Sequence, residues 1–295
     1  MLTPAHMMTT VSAALLEDAP WGDITASTLI PHDATASATL VAREAGVLSG
    51  MEVFAAAFRL TDARIQVDLH ADDGDEFAPG DVLAAVAGPA RSVLTAERVA
   101  LNFAQRMSGI ATLTRSYVDA VAHTSARITD TRKTTPGLRA FERHAVANGG
   151  GRNHRFSLSD AVMAKDNHLA VLLQQSGLGL TQALRAAKDK LGHTTHFEVE
   201  VDRLDQVAPV LAAGVDTIML DNFSLAELRE GVALINGRAV VEASGGVNLD
   251  TVAAIAETGV DVISVGALTH SARAIDLGLD MALEAAAAPT PEAGH

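Results

Sequence analysis

The apolar and polar positions of this 295-residue chain change texture once, near Ala126. Before that point the pattern predicts a short helix from Val11 to Ala19, stopped by Pro20. Strands are expected at Ala38–Val47 and Ile65–Leu69, where residues alternate or run apolar. Between Asp72 and Val86, Gly-Asp turns and a Pro-Gly precede a strand of buried type. A long helix follows from about Leu94 to Ala122, with Leu101, Ala104, Met107, Ile110 and Ala111 at helical spacing on one buried face.

Beyond Ala126 the expected strands are Ala126–Thr131, Ala161–Lys165, His196–Val201, Thr217–Leu220, Val240–Ala243 and Val262–Val265. Helices are expected at Thr181–Leu191, Leu204–Ala213, Leu225–Leu234 and Leu249–Thr258, with a final one at Ala272–Leu283. Strands alternating with helices over short connections imply a parallel sheet with right-handed crossovers. Six or seven strands are few for an eight-unit barrel, and periodicity alone leaves an open doubly wound sheet as the alternative. The strand ends favour a barrel. Nearly every one finishes in polar residues or a glycine turn, and in a barrel such ends converge on one site.

Composition narrows the chemistry. The chain is 48% hydrophobic and 20% charged, with a formal net charge of −14 and no cysteine. It can build a full core, and it has no disulfide, thiolate nucleophile or cysteine metal site. Its acidity and its scarcity of aromatic residues argue against nucleic-acid binding. No stretch approaches the roughly 20 apolar residues of a membrane span, and the N-terminal residues lack the pattern of a secretory signal. A cytoplasmic location is expected. The Ala- and Pro-rich residues 285–295 read as a flexible tail.

Charge is unevenly distributed. Asp130–His168 holds seven of the 22 Lys and Arg but only four of the 36 Asp and Glu. Gathering cations in an acidic protein points to an anion site. Arg132, Lys133, His154, Arg155 and Lys165 stand beside turns or strand ends, not at helical spacing, and the Gly149-Gly150-Gly151 run is expected to let backbone approach a ligand. Arginines hold carboxylates in bidentate fashion, and lysines serve phosphates as point charges. Glu200 and Asp221, on successive strands, suit a Mg²⁺ bridge to a polyphosphate or the hydroxyls of a sugar. The turns at Ser244-Gly245-Gly246 and at Gly266 lie where such barrels hold phosphate on backbone N–H groups. The ligand implied is a sugar phosphate with a second anionic partner. No nucleotide loop of the GxxxxGK[ST] or GxGxxG kind is present.

Beyond residue types, the segments DTRKTTPGLRAFERHAV, GGGRNHR, AKDNH, EVEVD, MLDN, EASGGVN and TGVDVISVGALTHS occur in this order. With EDAPWGDIT, AREAGVLSG and LTAERVALNFAQRMSGIAT earlier in the chain, they resemble the quinolinate phosphoribosyltransferases (nicotinate-nucleotide pyrophosphorylases, carboxylating) over nearly the whole length. The resemblance implies an N-terminal α/β open-faced domain over residues 1–115 and an atypical (β/α) barrel of fewer than eight strands over residues 116–284. It also implies a homodimer with a shared active site.

The implied reaction transfers phosphoribosyl from 5-phosphoribosyl-1-pyrophosphate to quinolinate with Mg²⁺. The products are nicotinate mononucleotide, pyrophosphate and CO₂. By motif, Arg132, His154, Arg155 and Lys165 would bind the quinolinate carboxylates, with Arg98 reaching in from the partner subunit. Lys133 and Lys165 would face the pyrophosphoryl group, Glu200 and Asp221 the ribose hydroxyls and the metal, and Ser244, Gly245, Gly246 and Gly266 the 5-phosphate. Lys133, Lys165, Glu200 and Asp221 are the implied catalytic set. Two alternatives compete: a ModD-like relative on the same scaffold with another acceptor, and a barrel lyase or aldolase using Lys165 or Lys133 as a Schiff-base amine.

Overall fold

The computed structural model of the chain describes residues 2–282. They form two compact units: Leu2–Ser108 together with the segment from Ala274 onward, and Gly109–Arg273.

In the first unit, α1 (Pro4–Asp18) starts earlier than the apolar pattern indicates, because the Thr3 hydroxyl caps it and Pro4 occupies the first turn, where it sacrifices no hydrogen bond. A six-residue helix α2 (Ile24–Leu29) follows, capped by Asp23. The strands are β1 (Thr35–Ala42), β2 (Gly46–Val47), β3 (Gln66–Leu69), β4 (Glu76–Phe77) and β5 (Val82–Pro89). Helix α3 (Met51–Thr61) sits between β2 and β3. Phe54 and Phe58 on α3 are fully buried and meet edge to face at 5.0 Å, and each such burial is worth about 1.5–3 kcal/mol. The long helix α4 (Ala90–Val121) then runs on past the boundary at Gly109.

The second unit holds six parallel strands: β6 (Arg127–Thr129), β7 (Val162–Ala164), β8 (Phe197–Val201), β9 (Thr217–Asp221), β10 (Val240–Ser244) and β11 (Val262–Ser264). Their order is β6-β11-β10-β9-β8-β7. The helices are α5 (Arg139–Asn148), α6 (Asp166–Ser176), α7 (Leu180–Lys188), α8 (Leu204–Ala212), α9 (Leu225–Ile235), α10 (Val252–Ala256) and α11 (Ala267–His270). This is an α/β barrel-like domain with fewer than eight strands. An isolated parallel bridge from Thr129 to Arg152 extends the sheet beyond β6. Along each strand one phase is apolar and packs outward under the helices, as with Phe197, Val199 and Val201 on β8 and Ile218 and Leu220 on β9.

Two expectations are corrected. Residues 272–283 do not form a helix. Leu277–Ala282 is a strand, β12, paired antiparallel with β1 from Ser37↔Ala282 to Ala42↔Leu277. The pairing joins this segment to the first unit, although the sequence reading placed it in the barrel. A short apolar run does not distinguish helix from strand, and here the open edge of β1 decides. The glycine run is the second correction. A Cβ on Gly149 would lie 2.4 Å from the Ala111 carbonyl oxygen, and one on Gly151 2.8 Å from Thr114 and Val146. These glycines let the chain pack against α4 instead of approaching a ligand. Residues 285–295, read as a tail, lie outside the described residues, as does Leu283.

Candidate active site

The inward phase of the barrel strands is polar. Neighbouring strands set Glu200 beside Met219, Ser244 beside Asp221, and Ser264 beside Thr129. At the carboxyl ends these side chains open into a cavity of roughly 710 Å³. Its lining includes Arg132, Lys133, His154, Arg155, Lys165, Glu200, Asp221, Ser244, Gly245, Gly246 and Gly266. All the barrel residues singled out from sequence therefore meet at one mouth. Arg98 is exposed on α4 in the first unit and does not line this cavity.

The cationic wall comes from two loops, one after β6 and one after α5. Burial lowers the pKa of Arg155, and the charge of Arg132 adds to the effect. The Nε atoms of both arginines are buried without a partner. Two guanidinium groups held together against their mutual repulsion, with donors unspent, form a site for a carboxylate-bearing ligand. Arg155 is aimed by a bond from its Nη1 to the Ala161 carbonyl at 2.9 Å.

A buried network fixes this wall. Asp130 is fully buried and accepts from Arg143 Nη1 at 3.1 Å and from the His154 backbone N–H at 2.8 Å. Asn153, with its amide turned to donate, gives a further bond to Asp130 at 2.6 Å. Arg143 also donates to the carbonyls of His154 and Arg155 and lies 5.5 Å over the Phe156 ring. Burial pushes the Asp130 carboxyl up to about 6 and Arg143 down, each against the pull of the other.

His154 is engaged by the protein at both ring nitrogens. The Arg155 backbone N–H donates to Nδ1 at 2.8 Å, and Nε2 lies 3.1 Å from Glu198 and 3.7 Å from Glu242. Burial opposes a charge on this ring, but the hydrogen bond to Glu198 and the neighbouring carboxylates outweigh it and hold the pKa above its ordinary value. The contact at Nδ1 nevertheless belongs to the neutral ring with its proton on Nε2, and charging the ring would break that contact. In this arrangement His154 is a fixed floor of the cavity rather than a free donor.

On the opposite side, Lys165 Nζ pairs with Glu200 at 2.8 Å. Asp221 accepts from the Ser244 hydroxyl at 2.5 Å and from the Asn222 amide at 2.6 Å. Gly245 has φ +90°, and a Cβ there would stand 2.2 Å from Asn222 Oδ1. Only glycine fits the turn, which leaves its backbone open to the cavity. Thr269 Oγ1 donates to the Lys133 carbonyl at 2.7 Å, tying the cationic loop to α11.

Asp130, Arg143, Glu198 and Glu242 went unrecognised as site residues from sequence. The legible signal was phase: Phe197 and Val199 claim one face of β8, so Glu198 must point into the barrel.

The same combination of fold and site occurs in known proteins. The chain matches the quinolinate phosphoribosyl transferase N-terminal domain over residues 23–108 and the C-terminal domain over residues 110–280. It is 41% identical over 268 residues to the probable nicotinate-nucleotide pyrophosphorylase (carboxylating) of Bacillus subtilis, covering 91% of each chain. To the Mycobacterium leprae enzyme of that name it is 43% identical, covering 92% of this chain and 96% of the relative. The crystal structure of NadC from Streptococcus pyogenes superposes with a TM-score of 0.90 at 42% identity, over 96% of this chain and 98% of that one. Matched across both units, in fold and in sequence, the chain belongs to the quinolinate phosphoribosyltransferase family.

Proposed function

We propose that the protein transfers the phosphoribosyl group of 5-phosphoribosyl-1-pyrophosphate to quinolinate and decarboxylates the adduct, giving nicotinate mononucleotide for de novo NAD synthesis. It is thus a pentosyltransferase. The observation that carries this reading is the paired Arg132 and Arg155, with unspent buried donors, facing the glycine turns across one cavity. A dicarboxylate would lie on the arginine wall, and the 5-phosphate on Ser244, Gly245, Gly246 and Gly266.

Lys133 and Lys165 would neutralise the pyrophosphoryl group. Glu200 and Asp221 would hold the ribose hydroxyls and stabilise the positive charge that develops at the ribosyl carbon as pyrophosphate leaves. The pyridine nitrogen, aligned by the arginine wall, attacks that carbon, and positioning supplies much of the rate. The hard oxygen donors of Glu200 and Asp221 also fit Mg²⁺, which takes one or two carboxylates and fills its shell with water and substrate phosphates. When bound, the metal would offset the charge of the departing pyrophosphate.

A homodimer completes this reading. Leu16, Trp21, Ile24 and Leu29 are exposed in and between α1 and α2, an apolar surface suited to a second copy. Arg98 is assigned to the partner's ligand. Among the described residues no helix is long and apolar enough to cross a membrane. The cytoplasm suits a cysteine-free chain.

Arg132→Ala tests the clamp. Truncating one partner of a buried charge pair costs about 2–5 kcal/mol, so quinolinate binding should weaken by at least about thirtyfold. Unchanged quinolinate affinity would remove Arg132 from the site.

A further inference from the structure

The barrel has a second cavity, of roughly 420 Å³, at the amino ends of its strands. Arg127, Thr217, Val240 and Val262, the first residues of their strands, line it. His154, Arg155 and Glu242 line both cavities and so separate them. Glu198 lines the second alone.

Glu242 is 4% exposed, and its Oε1 has no hydrogen-bond partner. The ligand atoms of His154, Glu198 and Glu242 all lie within 4.8 Å of one another. Two carboxyl groups this close in a dry interior do not both ionise. Burial and the Glu198 charge push Glu242 up, and His154 Nε2 lies nearer Glu198, at 3.1 Å against 3.7 Å, so Glu242 is the member of the pair that keeps its proton. His154 spends its own Nε2 proton on Glu198. Glu242 is thus a neutral carboxylic acid in the floor of the cavity assigned to the dicarboxylate.

We infer that Glu242 is the acid that protonates ring carbon 2 of the substrate after CO₂ leaves. The inference rests on the reaction proposed above. In that step the bond from carbon 2 to its carboxylate breaks, and the electron pair stays on carbon 2 beside the cationic ring nitrogen. The pair takes the proton from the Glu242 O–H, forming the C–H bond of nicotinate mononucleotide and leaving Glu242 as carboxylate. Water entering by the second cavity returns the proton, so the acid is recharged from the end of the barrel that the substrate does not occupy. Glu198, with His154, acts as a positioning residue that keeps the proton on Glu242.

The test is turnover of quinolinate and phosphoribosyl pyrophosphate in an equal mixture of H₂O and D₂O. The H:D ratio at carbon 2 of the product is read together with kcat and quinolinate affinity. In Glu242→Gln, quinolinate affinity should stay near wild type while kcat falls about 10²-fold or more, as for loss of a general acid. The H:D ratio should shift, because water replaces a carboxyl group as donor. Glu198→Gln removes the charge that helps hold the proton on Glu242 and should shift the ratio as well, with a smaller loss of kcat. A wild-type ratio in Glu242→Gln overturns the assignment at any rate of turnover. Should that variant not fold, Glu242→Asp decides: a reduced kcat with the wild-type ratio is expected, and an unchanged kcat overturns the assignment. Wild-type protein that forms no nicotinate mononucleotide fails the underlying reaction instead, a result visible before any variant is compared.

Discussion

Replacing Arg143 by Met tests the network beneath the cationic wall. The change keeps an apolar side chain of similar length but removes the only charged partner within bonding distance of Asp130 among the described residues. It also removes the bonds to the carbonyls of His154 and Arg155. With its pKa at about 6, Asp130 escapes an unpaired charge at pH 7 by taking up a proton, at a cost of about 1.4 kcal/mol. The two lost carbonyl bonds add roughly 1 kcal/mol each. The expected loss is therefore about 3–4 kcal/mol at pH 7, within the range for breaking a buried pair.

The sign of the pH dependence follows from the raised pKa. The stability due to a protonated Asp130 is complete below its unfolded pKa of about 3.8 and is lost as pH rises through about 6. Near pH 5 Asp130 is largely protonated in both proteins, so the difference between them should shrink to about 2 kcal/mol, the carbonyl bonds alone. Denaturant unfolding of wild type and Arg143→Met at the two pH values reads this directly. A difference that is the same at both, or below about 1 kcal/mol at pH 7, refutes the reasoning.

Other residues give independent checks. Gly245→Ala meets Asn222 Oδ1 at 2.2 Å and a strained φ of +90°, so affinity for phosphoribosyl pyrophosphate should fall at least about fivefold, in keeping with about 1–3 kcal/mol of backbone strain, while quinolinate binding survives; titration of each ligand separates the two. Arg98→Ala should be inactive alone, and mixing it with an inactive Lys165→Ala protein should restore part of the activity through hybrid dimers; verified hybrids without activity would argue against a shared site. Chelating Mg²⁺ should stop product formation reversibly, and full activity with chelator present would remove the metal from the account.

The barrel was legible because its strands carry a strong signal: short apolar runs ending in polar turns, spaced by amphipathic helices. The cavity residues were legible for the same reason, since Arg132, Lys165, Glu200, Asp221 and Ser244 stand at or just beyond strand ends. Helices α3, α5 and α6 were not foreseen. The apolar face of α3 is nearly continuous, so it lacks a period; α5 lies inside the stretch whose charges drew a ligand reading, and α6 begins at its end. Strand β12 was mistaken for a helix because its partner β1 lies some 240 residues earlier, a pairing that no local pattern encodes. Glu198 and Glu242 counted among the polar strand ends but had no role until the register of β8, β9 and β10 turned them toward His154.

The central claim is that the arginine wall selects a pyridine dicarboxylate as acceptor. It is tested by incubating the protein with phosphoribosyl pyrophosphate and Mg²⁺, once with quinolinate and once with nicotinate, and measuring nicotinate mononucleotide and CO₂. Product from quinolinate alone, with one CO₂ for each nucleotide, is the result expected. Product from neither, in folded protein that still binds phosphoribosyl pyrophosphate, would contradict the claim and point to a different acceptor on the same scaffold.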